Sequence, residues 1–152
     1  MKNKTVSVPP LDFRIINWIG IIEQLTSEKS RQLLEGTDVP PPQFKLLNHF
    51  SHRPDEGKKI TQIAAAMQQP QPGITKTVAK MVQKNHLREE ANPEDGRSKI
   101  LFLTNEGIAA HQTAKECLIQ GIKGTFDGWQ EAEKQELFQY LDRLKVYFDN
   151  NR

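Results

Sequence analysis

The chain has 152 residues, 36% of them apolar and 26% charged, with a formal net charge of +2. A chain of this length buries about 68–70% of its unfolded surface, which suits one domain with a real core and excludes disorder throughout and two full domains. So small a net charge makes no case for nucleic acid, and any such case must come from where the charge sits.

Cys117 is the lone cysteine, which excludes an internal disulfide. Residues 1–10, MKNKTVSVPP, have lysines but no apolar run behind them, and nowhere do about 18 apolar residues follow one another. A cytoplasmic protein with a flexible N-terminal arm over 1–10 is expected.

Leu11, Ile15, Trp18, Ile22 and Leu25 recur at the spacing of one helix face. Phe13, Ile16 and Ile19 lie off that stripe, so this first helix is apolar on more than one side and is expected to meet a second body, such as another copy of the chain. Gly36 is placed to stop it as a left-handed C-terminal residue.

The prolines at 40–42 open a second helix, in which Phe44, Leu47 and Phe50 follow at helical spacing and which fades by His52. Residues 53–59, RPDEGKK, read as a loop, with Lys59-Ile60 a candidate for a very short strand and Thr61 the N-cap of a third helix, TQIAAAMQQ. Its alanines let another helix backbone come close. The PQPG at 70–73 is expected to end it, and Ile74, Val78, Met81 and Val82 then form one face of a fourth helix running to about Lys84. Asn85 accepts the left-handed conformation a helix stop needs.

Residues 87–91 and 98–104 flank the turn ANPEDGRSK as a β-hairpin, because Pro93 presets a negative φ and Gly96 permits any φ. Thr104 caps a fifth helix over roughly 105–123. A final helix carries Trp129, Ala132, Leu137, Tyr140, Leu141, Leu144 and Phe148 at three- and four-residue steps.

Charge is concentrated in the fourth helix and just after it: between residues 71 and 88 stand Lys76, Lys80, Lys84 and Arg88 and no acid, while the rest of the chain is net acidic. At about 100° per residue the apolar face gathers on one side, with Lys76, Lys80 and Gln83 opposite. Two helices joined by a tight turn, the second with a basic outer face, describe a helix-turn-helix whose second helix fits a major groove about 12 Å wide. The hairpin behind it takes the place of the wing in a winged helix-turn-helix. That explains Arg97 in the turn, since a guanidinium suits the narrow, electronegative minor groove beside it. Asp95 lies on the same side and is expected to hold that guanidinium in one orientation.

The segment NPEDGRSKILFLTNEG resembles the wing and following helix start of the MarR family of transcription regulators, through Asp95, Arg97, Leu103, Thr104 and Gly107; PPPQFKLLNHF resembles the family's second helix. The resemblance covers nearly the whole chain. It implies a mainly α fold with a small β-hairpin wing (α+β), with six helices. Residues 38–104 would be the winged helix-turn-helix region, and 11–36 with 105–150 a helical dimerisation region of the same protomer. It further implies a homodimer held by the N- and C-terminal helices, a pseudo-palindromic double-stranded DNA operator, and a small-molecule pocket between dimerisation and DNA-binding parts. Lys76, Thr77 and Lys80 would face the major groove, Pro72 and Gly73 would open that helix near the backbone, and Arg97 would enter the minor groove. Thr75, Lys84, Asp95 and Lys99 complete the expected DNA-binding set. The candidates for dimer contacts are Phe13, Ile16, Trp129, Leu137, Leu141, Leu144 and Phe148, and those for lining an effector pocket are Trp18, Phe44, His49 and His111. Three positions depart from the family pattern: Glu89, followed by Glu90, stands where an arginine is common, Gly96 replaces a frequent wing-tip arginine, and Asn85 replaces the usual glycine.

Cys117, mid-helix, is expected to be a small buried apolar group rather than a redox sensor. His49 and His52 with Asp55 and Glu56 have a spacing too common to denote a metal site, so neither a metal nor a cofactor is expected. No nucleophile elbow, zinc-protease helix, phosphate loop or dinucleotide fingerprint occurs, so no enzyme is expected. The expectation is therefore a ligand-responsive repressor, with a winged-helix protein-interaction module that does not bind DNA as the alternative, made credible by Glu89 and Glu90.

Overall fold

The structure is a computed structural model and describes residues 7–152; the expected arm extends into residues 1–6, which lie outside the described residues. Among the described residues are six helices and one antiparallel two-stranded sheet, in the order α1 (Leu11–Leu34), α2 (Pro41–Ser51), α3 (Ile60–Met67), α4 (Gln71–Gln83), β1 (Leu87–Asn92), β2 (Asp95–Leu103), α5 (Asn105–Gly121) and α6 (Glu131–Asn150). The chain divides into two compact units, Met1–Gly121 and Ile122–Arg152.

In the first unit the core is built from Leu34 at the end of α1, Leu46, Leu47 and Phe50 of α2, Ile63 of α3, Ile74, Val78 and Met81 of α4, and Leu87 and Leu101 of the hairpin. Burying each large side chain stabilises the unit by roughly 1.5–3 kcal/mol. α2 turns one face inward through Gln43, Leu46, Leu47 and Phe50, the three- and four-residue steps of a buried stripe. α1 contributes only Leu34 to the core, and Leu11, Phe13, Ile15, Ile16, Trp18, Ile22 and Leu25 lie exposed along it.

Four local expectations are corrected. Gly36 is not left-handed; the glycines with positive φ among the described residues are Gly124 and Gly128. Thr37 closes α1 instead, its hydroxyl donating to Leu34 O at 2.8 Å and accepting Val39 N–H at 3.2 Å, while Val39 is buried. Lys59, not Thr61, precedes α3, with its N–H donating to Gln62 Oε1 at 2.8 Å. The short strand falls on Lys58, paired with Leu101 in both directions at 2.9 Å. Gln68, left-handed at φ 50°, ends α3, so Pro72 and Gly73 belong to the first turn of α4, where a proline costs no hydrogen bond.

α4 ends as expected at Asn85, left-handed at φ 61°. His86 N–H donates to Met81 O at 2.8 Å and Asn85 N–H to Val82 O at 2.9 Å, the two bonds of a Schellman stop. In the hairpin Leu87 pairs with Leu103, Glu89 with Leu101 and Ala91 with Lys99, and the register shifts at Ala91/Asn92. Thr104 caps α5 by accepting Gly107 N–H at 2.9 Å, while its own hydroxyl donates to Asn85 O at 2.5 Å. A Cβ on Gly107 would stand 2.2 Å from His86 O, so only glycine lets α5 start against the end of α4.

In the second unit a run of turns leads to α6, whose first turn is closed by Gln130 N–H donating to Glu133 Oε2 at 2.7 Å. Trp129 precedes this helix and meets Phe126 edge-on at 5.5 Å between ring centroids. Phe138, Tyr140, Leu141, Val146, Tyr147 and Phe148 are exposed on α6.

Candidate nucleic-acid interface

α3 and α4 meet at the Gln68 stop, and the β1–β2 hairpin follows α4 directly. Burial of Ile74, Val78 and Met81 turns one face of α4 to the core and leaves Thr75, Lys76, Ala79, Lys80 and Gln83 on its exposed side. Among the described residues neither Lys76 nor Lys80 has an ion-pair or hydrogen-bond partner, so both ammonium groups are available to an anion. Thr77 is half-buried and its hydroxyl donates to Gly73 O at 3.1 Å, the back-bond of a helical threonine. Pro72 and Gly73 are exposed at the start of the helix.

Lys84 is placed differently from its neighbours on the basic stripe. Each four-residue step carries the stripe about 40° around the helix, and two steps bring Lys84 back to the edge of the apolar face. There its Nζ donates to Asp38 O at 2.7 Å and to Gln43 Oε1 at 3.0 Å and stands 3.0 Å from the Asp38 carboxylate. Arg88 is also engaged: it pairs with Glu90 and its guanidinium lies 4.5 Å from the Phe102 ring centroid.

The tip of the wing is braced by its own side chains. Asn92, 4% exposed, donates through Nδ2 to Ser98 Oγ at 2.8 Å and accepts Glu94 N–H at 3.1 Å. Asp95 accepts the backbone N–H of Arg97 at 3.0 Å, and Ser98 Oγ donates to Asp95 O at 3.2 Å. The carboxylate therefore shapes the backbone, and the expected contact between Asp95 and the Arg97 guanidinium is not formed. Arg97 and Lys99 project into solvent, as do Glu89, Glu90, Glu94 and Asp95, so the wing carries both signs of charge.

Of the four residues expected to line one effector pocket, two stand side by side. Phe44 stacks on His111 at 5.4 Å, and His111 Nε2 lies 3.3 Å from Asn48 Oδ1. His49 faces a separate open groove of about 340 Å³ with His52, Arg53, Glu56 and Lys58, and Lys58 Nζ donates to His49 O at 3.2 Å. Trp18 is 58% exposed on α1. Burial, ahead of any nearby charge, pushes the imidazoles of His49 and His111 below their ordinary value. Among the described residues no three of His, Cys, Asp and Glu gather in a metal-binding arrangement. Cys117 is half-buried in α5.

Phe13 and Ile16 are exposed on α1, and Trp129, Leu141 and Phe148 are exposed in the second unit, where Leu137 and Leu144 are half-buried. Sequence reasoning passed over Asp38, Gln43, Asn92 and His86. His86 is 7% exposed, and its Nδ1 has no hydrogen-bond partner. Asn92, beside Pro93 in a turn, carried a signal, because asparagine closes such turns through its own side chain; the others carried none.

A short helix, a left-handed stop, a second helix with a polar outer face and an antiparallel hairpin immediately behind it make a winged helix-turn-helix. Residues 37–98, which hold the helix-turn-helix and most of the wing, match the model of the MarR family, the family that the wing sequence resembles. The whole fold agrees. Apo wild-type MarR from E. coli is 18% identical over 91% of this chain and 98% of its own, with a TM-score of 0.75. A MarR protein from Peptoclostridium difficile is 17% identical over 99% and 97%, at 0.78. MepR from S. aureus, solved as a complex with DNA, is 19% identical over 87% and 96%, at 0.71. No curated protein matches the sequence. No helix among the described residues is long and apolar enough to cross a membrane.

Proposed function

We propose that the chain is a cytoplasmic, sequence-specific transcription regulator that binds double-stranded DNA as a homodimer. The observation that carries this reading is the outer face of α4, where Lys76 and Lys80 stand exposed and unpaired among the small or uncharged Thr75, Ala79 and Gln83. Such a face can enter a major groove, with ammonium groups for guanine or phosphate oxygens and a glutamine amide suited to adenine. Arg97 on the wing supplies a cation for the neighbouring minor groove. The DNA complex of MepR, a protein of the same fold, supports the assignment by analogy of fold.

The exposed apolar stripe of α1 supports the homodimer, since so long an apolar face in water is costly unless a second copy covers it. A pseudo-palindromic operator follows, with recognition helices about 34 Å apart. A repressor of this geometry releases DNA when a small-molecule effector changes that spacing; the chain needs no cofactor for this.

The test is selection of tight-binding duplexes from a randomised pool, followed by titration at two salt concentrations with the mass of the protein measured alongside. The expected result is a dimer with a pseudo-palindromic consensus and a dissociation constant of about 10⁻⁸ M or tighter. Enrichment of no sequence would sink the proposal. The exposed acids Glu89, Glu90, Glu94 and Asp95 favour one second reading, a module that docks a basic protein surface through the wing. That reading requires a protein partner and no duplex selection.

A further inference from the structure

The C-terminal end of α4 is tied to the linker that leads out of α1. Lys84, at the C-cap of α4, has three N–H donors, and three acceptors stand around its Nζ: Asp38 O at 2.7 Å, Gln43 Oε1 at 3.0 Å and Asp38 Oδ1 at 3.0 Å. None is left for a phosphate. The acceptors are themselves held. Gln43 is 3% exposed in the first turn of α2, and Asp38 sits between Thr37, which closes α1, and the buried Val39.

At the other end of α4 Pro70 offers no side-chain cap, and among the described residues no side-chain hydrogen bond from another element reaches the first turn. The apolar contacts of Ile74, Val78 and Met81 select the face of α4 that lies on the core, but burial is non-directional and leaves the fine rotation and depth of the helix to directional bonds. Hydrogen bonds are directional, and Lys84 makes two from its side chain to other elements, one to the α1–α2 linker and one to α2.

We propose that Lys84 is a positioning residue: it sets the rotation and depth of α4 against the α1–α2 linker, and thereby the angle at which Lys76 and Lys80 meet the groove, without touching DNA. The proposal rests on the DNA-binding reading above. It also gives the linker a means of moving the recognition helix, since displacement of Asp38 pulls on Lys84 directly.

The sign of one substitution separates positioning from contact. Asp38 is an acid, and on electrostatic grounds alone its removal strengthens binding to a polyanion. If it orients Lys84, its removal weakens binding. The experiment measures the wild-type protein, K84M, K84R, D38A and the K84M/D38A double variant against the duplex that the wild type selects, over a series of salt concentrations, with denaturant midpoints for each. K84M is expected to bind about tenfold more weakly, the loss of hydrogen bonds to a charged group, with an unchanged salt slope. K84R is expected to recover part of the loss, D38A to weaken binding, and the double variant to bind no worse than K84M. Because Asp38 is largely exposed and surface ion pairs contribute under ~1 kcal/mol, D38A stays folded and decides the matter even if K84M does not. Tighter binding by D38A, or a salt slope that falls by about 0.9 per Lys84 removed, overturns the proposal. Selection of no duplex by the wild type overturns the DNA-binding reading and this inference together.

Discussion

The carboxylate of Asp95 accepts the backbone N–H of Arg97 at 3.0 Å, so the acid sets the course of the wing tip while the guanidinium stays in water. An Asx turn of this kind aims the side chain two residues on by fixing its Cα, without spending any of its five donors. The arginine is thus presented whole to whatever meets the wing.

Replacing Arg97 by alanine is expected to weaken binding most at sites with A·T-rich flanks, where the minor groove is narrow and most electronegative. D95N keeps the turn acceptor and is expected to bind as well as the wild type or better, whereas D95A is expected to bind more weakly. Titration against duplexes that differ only in their flanks checks both. Equal losses on A·T and G·C flanks would mean that Arg97 contacts phosphate alone.

Lys80→Ala is expected to weaken binding to all sequences alike and to lower the slope of log K against log salt by about 0.9 per lysine removed, or about 1.8 for a dimer. The ammonium is exposed and unpaired, so the loss reflects counterion release rather than a broken internal contact. An unchanged slope counts against a phosphate contact at this position.

Stability is expected to fall on mild acidification. Burial is the leading cause that holds His49, His86 and His111 below the ordinary imidazole value; at His86, Asp38 opposes it and Lys84 adds to it. The folded protein therefore binds fewer protons than the unfolded chain once the pH drops below about 6.5, so stability is complete above that value and declines as the pH falls toward the folded values. Urea midpoints compared at about pH 7.5 and 5.5 test this in a window above the carboxylate range. A midpoint that does not fall would contradict it.

Gly107→Ala is expected to destabilise the winged unit by about 1–3 kcal/mol or more, because the new methyl would stand 2.2 Å from His86 O, a backbone atom at the junction of α4 and β1. Denaturant unfolding checks it. A change within about 0.5 kcal/mol would show that α5 can withdraw without cost.

The helices and the wing were legible because their signals are local. The spacing of Ile74, Val78 and Met81 specifies the buried face of α4, and Asn85 announces a left-handed stop before any distant residue is considered. Where several local solutions lie close in energy, the outcome differed. Thr37 rather than Gly36 closes α1, and Gln68 ends α3 ahead of the Pro-Gly signal, because a hydroxyl bond and a single left-handed residue satisfy those ends in the space available.

The roles of the charged side chains were less legible. Lys76, Lys80 and Lys84 look alike along the chain, yet Lys84 finds its acceptors 46 and 41 residues away, on the α1–α2 linker and α2. His86 loses its water because α5 starts against it. Backbone periodicity and turn preference are set by neighbours within a few residues and are written in the chain; the partner of an ammonium or an imidazole depends on which distant element packs beside it, and folding alone brings that element there.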